Sequence, residues 1–228
     1  MKSALLDELQ RARRDKVPVA LVTRLADGEQ ALVYGDSQAE SRLTLNASQT
    51  GEIQGILRAA RSAMLPDEEL FVRSYVPAYR LLIIGAVHIA QALSALATQC
   101  GYQVIIIDPR RAFATEERFR GTTLYAEWPD EAMPRLLPDA QTAVVTLAHD
   151  PKIDDPALIA ALQSEAFYIG ALGSRRTHSK RVERLTEQGF EDQLARINAP
   201  VGLNLGGRSH AEIAVAILAQ LIQARYSV

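Results

Sequence analysis

A single cysteine, Cys100, stands among 228 residues, so no disulfide can close within the chain. That cysteine and the histidines show no metal-ligand spacing, which leaves no sequence-level metal site. Basic blocks are also missing. The 25 lysines and arginines alternate with 27 acids and leave a net charge of −2, which does not favour a nucleic-acid partner. No apolar run is long enough to span a bilayer. The opening Met1-Lys2-Ser3-Ala4-Leu5-Leu6-Asp7-Glu8 has acids where a signal peptide needs an apolar run. These absences lead to an expectation of a cytoplasmic protein with no nucleic-acid or membrane partner. Neither an internal repeat nor a low-complexity stretch is found. What remains is ordinary globular composition, with 48% apolar and 23% charged residues. That length and composition suit one large domain, or a small one and a medium one, with a substantial core.

The periodicity changes near Arg80. Before it, Leu5 to Arg14 and Ala47 to Ala63 show helical spacing. Residues 19–23 and 31–34 read as strands joined by the turn Ala26-Asp27-Gly28-Glu29, and residues 70–76 as another strand. Residues 1–79 are therefore expected to form a small α+β unit. Pro77-Ala78-Tyr79-Arg80 is the link to a second domain over residues 80–228. There, unbroken apolar runs at 81–84, 104–107, 143–147 and 167–169 alternate with helices at 89–100, 156–163, 177–188 and 211–224. Apolar strands without alternation, separated by helices, predict an α/β fold of Rossmann type. Its parallel sheet would carry helices on both faces.

Gly85-Ala86-Val87-His88-Ile89-Ala90 follows the first of these strands and opens a helix, and Asp108 ends the next strand. This is the setting of the dinucleotide fingerprint: a glycine for the tight turn, a small residue for helix packing, and an acid for a ribose hydroxyl. Val87 stands where the fingerprint has its middle glycine, which lets a pyrophosphate approach the backbone. A valine there argues against NAD or NADP bound in the usual pose. Asp108 also reads as an acid that merely closes a strand, and Arg110 suits either a 2′-phosphate or solvent.

Two further strand ends lead into helices, through Ala148-His149-Asp150-Pro151 and through Gly170-Ala171-Leu172-Gly173-Ser174-Arg175-Arg176. Loops after parallel strands converge on the carboxyl edge, where ligands bind. Free N–H groups at a helix start, with Arg175 beside them, favour an anion. The plainer readings are that Ser174 is an N-cap and His149 a hydrogen-bonded loop residue. His210 and Glu212 read as residues of a helix start. No arrangement for nucleophilic catalysis is recognisable, and no catalytic residue is assigned.

Residues 82–90, Ile106-Ile107-Asp108-Pro109-Arg110, His149-Asp150-Pro151-Lys152 and the run from Tyr168 to Arg176 together resemble the XdhC/CoxI family. So does Pro200-Val201-Gly202-Leu203-Asn204-Leu205-Gly206-Gly207 ahead of Glu212. The resemblance covers nearly all of the chain from Arg80 onward, and Gly-Ala-Leu-Gly-Ser-Arg-Arg is its most specific part. It implies a maturation factor that binds a molybdopterin-type cofactor, in phosphate or dinucleotide form, and supports its sulfuration. The factor then passes the cofactor to an apo molybdenum hydroxylase of the xanthine dehydrogenase type. A cysteine desulfurase is a further implied partner, and a homodimer is left open. On that reading Gly85, Val87, His88, Asp108, Arg110, His149, Gly170, Gly173, Ser174 and Arg175 line the cofactor site. Longer members have an N-terminal Gly/Ser/Pro/Arg segment and a Gly-Gly-Cys-type stretch, and residues 1–79 contain neither. The alternatives are an NAD(P)-binding oxidoreductase and a nucleotide-sensing regulator. The absence of a separate catalytic domain favours the carrier over the oxidoreductase.

Overall fold

The computed structural model describes residues 3–35, 37, 38, 43–65 and 69–226. Met1 and Lys2 of the opening segment lie outside them. The chain divides into two compact units, Met1–Pro77 and Ala78–Val228.

In the first unit, α1 (Ser3–Arg14) precedes strands β1 (Val19–Arg24), β2 (Gln30–Tyr34) and β3 (Ser37–Gln38). Helix α2 (Ala47–Arg58), β4 (Ala63–Met64) and β5 (Leu70–Tyr75) follow. The sheet order is β3-β2-β1-β5-β4, and its pairs are antiparallel. Alternation along β1 sends Val19 and Leu21 to a core with Leu9 and Ala12 of α1. Ala20 and Val22 go to a core with Ile53, Ile56 and Leu57 of α2. The expected helix to Ala63 stops earlier, at Arg58. Ala60 takes φ 49, and Ala63 instead pairs with Val72 of β5.

The second unit begins with β6 (Arg80–Ile84), α3 (His88–Gln99), β7 (Gln103–Ile107), β8 (Thr123–Tyr125) and α4 (Pro129–Leu136). It continues with β9 (Thr142–Thr146), α5 (Pro151–Leu162), β10 (Tyr168–Ala171), α6 (Arg175–Glu187), β11 (Ile197–Asn198) and α7 (His210–Tyr226). All pairings are parallel, and the order is β11-β10-β9-β6-β7-β8. Counted from β6, this is the 3-2-1-4-5-6 order of the doubly wound dinucleotide fold, reversing direction between β6 and β9.

Period-two alternation explains why the strands are apolar throughout. Leu81, Ile83, Ile106 and Val145 face Leu93 and Ala97 of α3 and Ile217 and Leu221 of α7. Leu82, Ile84, Ile105, Ile107 and Val144 face Met133 of α4 and Ala157, Leu158 and Ala161 of α5. Both faces of the sheet are covered, so neither can be polar. Helix α5 starts five residues before the expected Pro156. Asp150 caps it through the Lys152 N–H, Pro151 occupies its first turn, and Pro156 lies inside it.

Candidate functional site

The reversal between β6 and β9 brings two loops together. Gly85, after β6, takes φ +105, and a Cβ built on it would lie 2.6 Å from the Ala148 nitrogen in the loop after β9. A glycine is needed here for close approach as well as for the turn. The next residues lead into α3, whose N-cap is Val87. Val87 makes no side-chain cap hydrogen bond. Its side chain packs against the apolar layer beneath α3. It is partly buried there. Among the described residues no side chain accepts from the first-turn N–H groups of α3, the condition under which a helix start receives an anion. His88 opens the helix exposed, its ring stacked on that of His210 at 5.2 Å.

Asp108 follows β7 and is fully buried. Its Oδ2 accepts from the Ala86 N–H at 2.7 Å and from Arg110 Nη2 at 2.8 Å. Its Oδ1 accepts from the Arg110 backbone N–H and from Arg110 Nε, both at 2.9 Å. Burial alone would raise this carboxyl. The hydrogen bonds from the Arg110 side chain and from the Ala86 and Arg110 backbone outweigh it and hold the group below the ordinary carboxylate range. Arg118 closes the same loop by donating to the Ala86 carbonyl at 2.9 Å. Asp108 therefore organises the loop at the α3 start, with its acceptor positions taken by the chain itself.

His149 is exposed and holds φ 61, an uncommon conformation for a residue with a side chain. The loop is held by Asp154, which is buried and accepts from the Ala148 N–H at 3.2 Å. Burial pushes Asp154 up to about 6, against the lowering effect of the Arg181 charge and the backbone N–H groups of Ala148 and His149. Arg181, only 2% exposed, donates through Nη2 to the Leu172 carbonyl at 2.9 Å. Its Nε and Nη1 have no hydrogen-bond partner among the described residues. Asp154 and Arg181 thus support the loops after β9 and β10 from below. Neither stood out in the sequence, because an acid and an arginine inside helices carry no positional signal until the helices are packed.

A raised carboxyl has a defined effect on stability. Asp154 stays protonated in the fold to a higher pH than in the open chain. Its contribution is therefore present below about pH 4 and is lost as pH rises through about 6. Asp154→Asn removes that titration. The stability difference between wild type and Asp154→Asn should shift against the wild type by roughly 2–3 kcal/mol between pH 4 and 7. Urea unfolding across that range measures it, and a constant difference would show that Asp154 does not titrate there.

The loop after β10 bears out the plainer reading of Ser174, whose hydroxyl caps α6 through the Thr177 N–H at 3.2 Å. Gly173 takes φ +141 against Thr177. Arg175 is exposed, and its side chain forms no hydrogen bond or ion pair among the described residues. Gly170 is explained by packing. It is buried within β10, and a Cβ there would meet Val201 at 2.5 Å and Tyr168 at 2.9 Å. Ser209 and Glu212 form a reciprocal cap at the start of α7, as expected of helix-start residues. The structure thus joins Gly85 to Ala148, Asp108 to Arg110 and Ala86, and His88 to His210. Arg175 stands at the same edge without a side-chain bond to any of them.

Among the described residues, no group of three or more His, Cys, Asp and Glu side chains could hold a metal ion. No helix there is long and apolar enough to cross a membrane.

Comparison with known proteins agrees with this architecture. The XdhC Rossmann domain matches residues 81–221. The molybdenum cofactor insertion chaperone PaoD of Escherichia coli (strain K12) is 33% identical over 156 residues, covering 68% of this chain and 43% of that protein. A probable xanthine dehydrogenase component of Bacillus subtilis (strain 168) is 28% identical over 178 residues, covering 76% of this chain and 52% of its own length. The chain thus spans about half or less of these curated relatives. The crystal structure of a xanthine dehydrogenase from Bacillus halodurans matches 99% of this chain and 68% of that one, with a TM-score of 0.75 at 22% identity, which establishes likeness of fold. With more than half of its length matched by the XdhC Rossmann domain, the chain belongs to the XdhC family.

Proposed function

We propose that this protein binds a molybdopterin-type cofactor at the carboxyl edge of its parallel sheet and delivers it to an apo molybdenum hydroxylase of the xanthine dehydrogenase type. The observation that carries the reading is the α3 start. It lies at the switch between β6 and β9, and its N-cap, Val87, makes no side-chain cap hydrogen bond. Pterin cofactors of this kind carry a phosphate, and an uncapped helix start at a switch point suits one. Arg175, whose side chain makes no hydrogen bond or ion pair among the described residues, supplies a forked donor near the same edge. His88 and His149, both exposed, offer polar contacts at its rim. The name of the Escherichia coli relative, a molybdenum cofactor insertion chaperone, supports the same assignment.

The cofactor is cargo here: it brings the molybdenum chemistry, and the chain's part is to hold, protect and release it. Support of sulfuration, with a cysteine desulfurase as donor partner, belongs to the same proposal. The only cysteine, Cys100, is exposed, just after the C-terminal end of α3. Helix α3 begins at the proposed site and ends at the opposite edge, so Cys100 is not placed to carry sulfur there. On this reading the partner supplies the sulfur.

Activation of an apo hydroxylase tests the delivery step. Purified apoenzyme and cofactor are incubated with wild type, with Arg175→Ala, or without the protein. Wild type should raise the activation yield several-fold, and Arg175→Ala should lose most of that gain while keeping its melting temperature. Equal yields with and without the protein, over several hydroxylases, would contradict delivery.

A further inference from the structure

We propose that Arg110 is a built-in competitor that keeps dinucleotides from binding at this sheet edge in the NAD pose, with a ribose at Asp108. This deepens the proposed function, since it rests on the crevice being a ligand site and addresses which ligands it refuses. In the dinucleotide fold, the acid at the end of the second strand accepts from ribose hydroxyls. Here that acid is Asp108, and a carboxylate has about four acceptor positions. Two are filled by Arg110 Nε and Nη2, at 2.9 and 2.8 Å, and one each by the backbone N–H groups of Arg110 and Ala86. None remains for a ligand. A ribose entering in the usual pose must break a two-pronged, charge-assisted contact to a carboxylate that has no surface exposure.

Arg110 is also held from its other sides. Its guanidinium lies 4.7 Å from the centre of the Phe113 ring. The charges of Asp150 and Asp154, from the loop and helix after β9, add to that of Asp108 in favouring the cation where it is. Val87, at the N-cap of α3, has extended backbone and a side chain packed on the core, whereas at Asp108 the acceptors are already taken. The excluded feature is the ribose. A ligand that engages the α3 start through a phosphate, with no ribose at Asp108, leaves the Arg110 contact intact.

The test uses ADP-ribose, which has the pyrophosphate and riboses of NAD but neither nicotinamide nor pterin. Calorimetric titration is carried out on the full chain as wild type, Arg110→Ala, Arg110→Met and Arg110→Ala with Asp108→Asn. Methionine keeps an apolar stem against Phe113, so at least one single variant should fold as judged by melting. Both single variants should bind ADP-ribose at least tenfold more tightly than wild type, about 1.4 kcal/mol. The double variant should lose most of that gain, because an amide offers one acceptor oxygen in place of the carboxylate's two and carries no charge. Unchanged or weaker binding by the single variants would overturn the proposal. So would a gain that survives undiminished in the double variant, micromolar binding by wild type, or NADP binding that depends on Arg110. A wild-type measurement stands beside these. The Arg110 Nε–H resonance should exchange slowly with solvent, and fast exchange would show the contact to be open. Failure of pterin to bind would leave these results standing, since no pterin is used.

Discussion

Replacing Gly85 by alanine should destabilise the second unit by roughly 3–5 kcal/mol, through left-handed strain and overpacking together. The backbone at Gly85 has φ +105, where a side chain is strained in any surroundings. The added Cβ would also lie 2.6 Å from the Ala148 nitrogen and 2.8 Å from its Cα. Both are backbone atoms, so no rotamer change relieves the contact. Ala148 cannot retreat easily either, because its N–H is held by the buried Asp154 and Leu147 is tied to Ile84 through a backbone bond of 2.7 Å. For a unit of this size, such a loss lowers the melting midpoint by roughly 6–20 °C. Thermal unfolding followed by circular dichroism measures it, and a shift under 2 °C would show that the two loops part at little cost.

Asp108→Ala should cost about 2–4 kcal/mol, for a different reason. Removing the carboxylate leaves the buried Ala86 N–H without its acceptor, and an unsatisfied buried donor costs about 1–3 kcal/mol. Arg110 loses its ion pair, but its side chain is 35% exposed, so solvent recovers part of that loss. The sign with pH is opposite to that of Asp154. Asp108 is held below its ordinary range, so its contribution is present above about pH 4 and lost as pH falls through its folded value. Wild type and Asp108→Ala should therefore draw closer in stability as acid protonates the carboxyl. A gap that does not narrow in acid would assign the stabilisation to shape rather than charge.

The main strands were legible because β6, β7, β9 and β10 are apolar on both faces, a pattern that a doubly covered parallel sheet requires. Strand β8 was not legible: Thr123-Leu124-Tyr125 is short, at the sheet edge, and only partly buried. Helix α4 was hidden by the prolines at its first position and inside it, at Pro129 and Pro134. At the candidate site, the strand–glycine–helix–acid pattern pointed to the loops at the switch between β6 and β9. What the acid does there depends on Arg110 folding back two residues, a rotamer choice that no spacing encodes. Gly170 shows the converse. Its place in a glycine-rich run suggested a ligand, yet Val201, thirty-one residues on, occupies the space a side chain would need. Packing between segments distant in sequence decides such cases.

The central claim is that the crevice receives a phosphate-bearing pterin, and direct titration tests it most plainly. Molybdopterin-type cofactor, kept anaerobic, is added to the purified chain, and bound pterin is read by its fluorescence after separation of free ligand. Saturable binding near one pterin per chain is expected, weakened at least tenfold in Arg175→Ala and competed by millimolar inorganic phosphate. No retained pterin with the native protein folded, or binding indifferent to both Arg175 and phosphate, would contradict it.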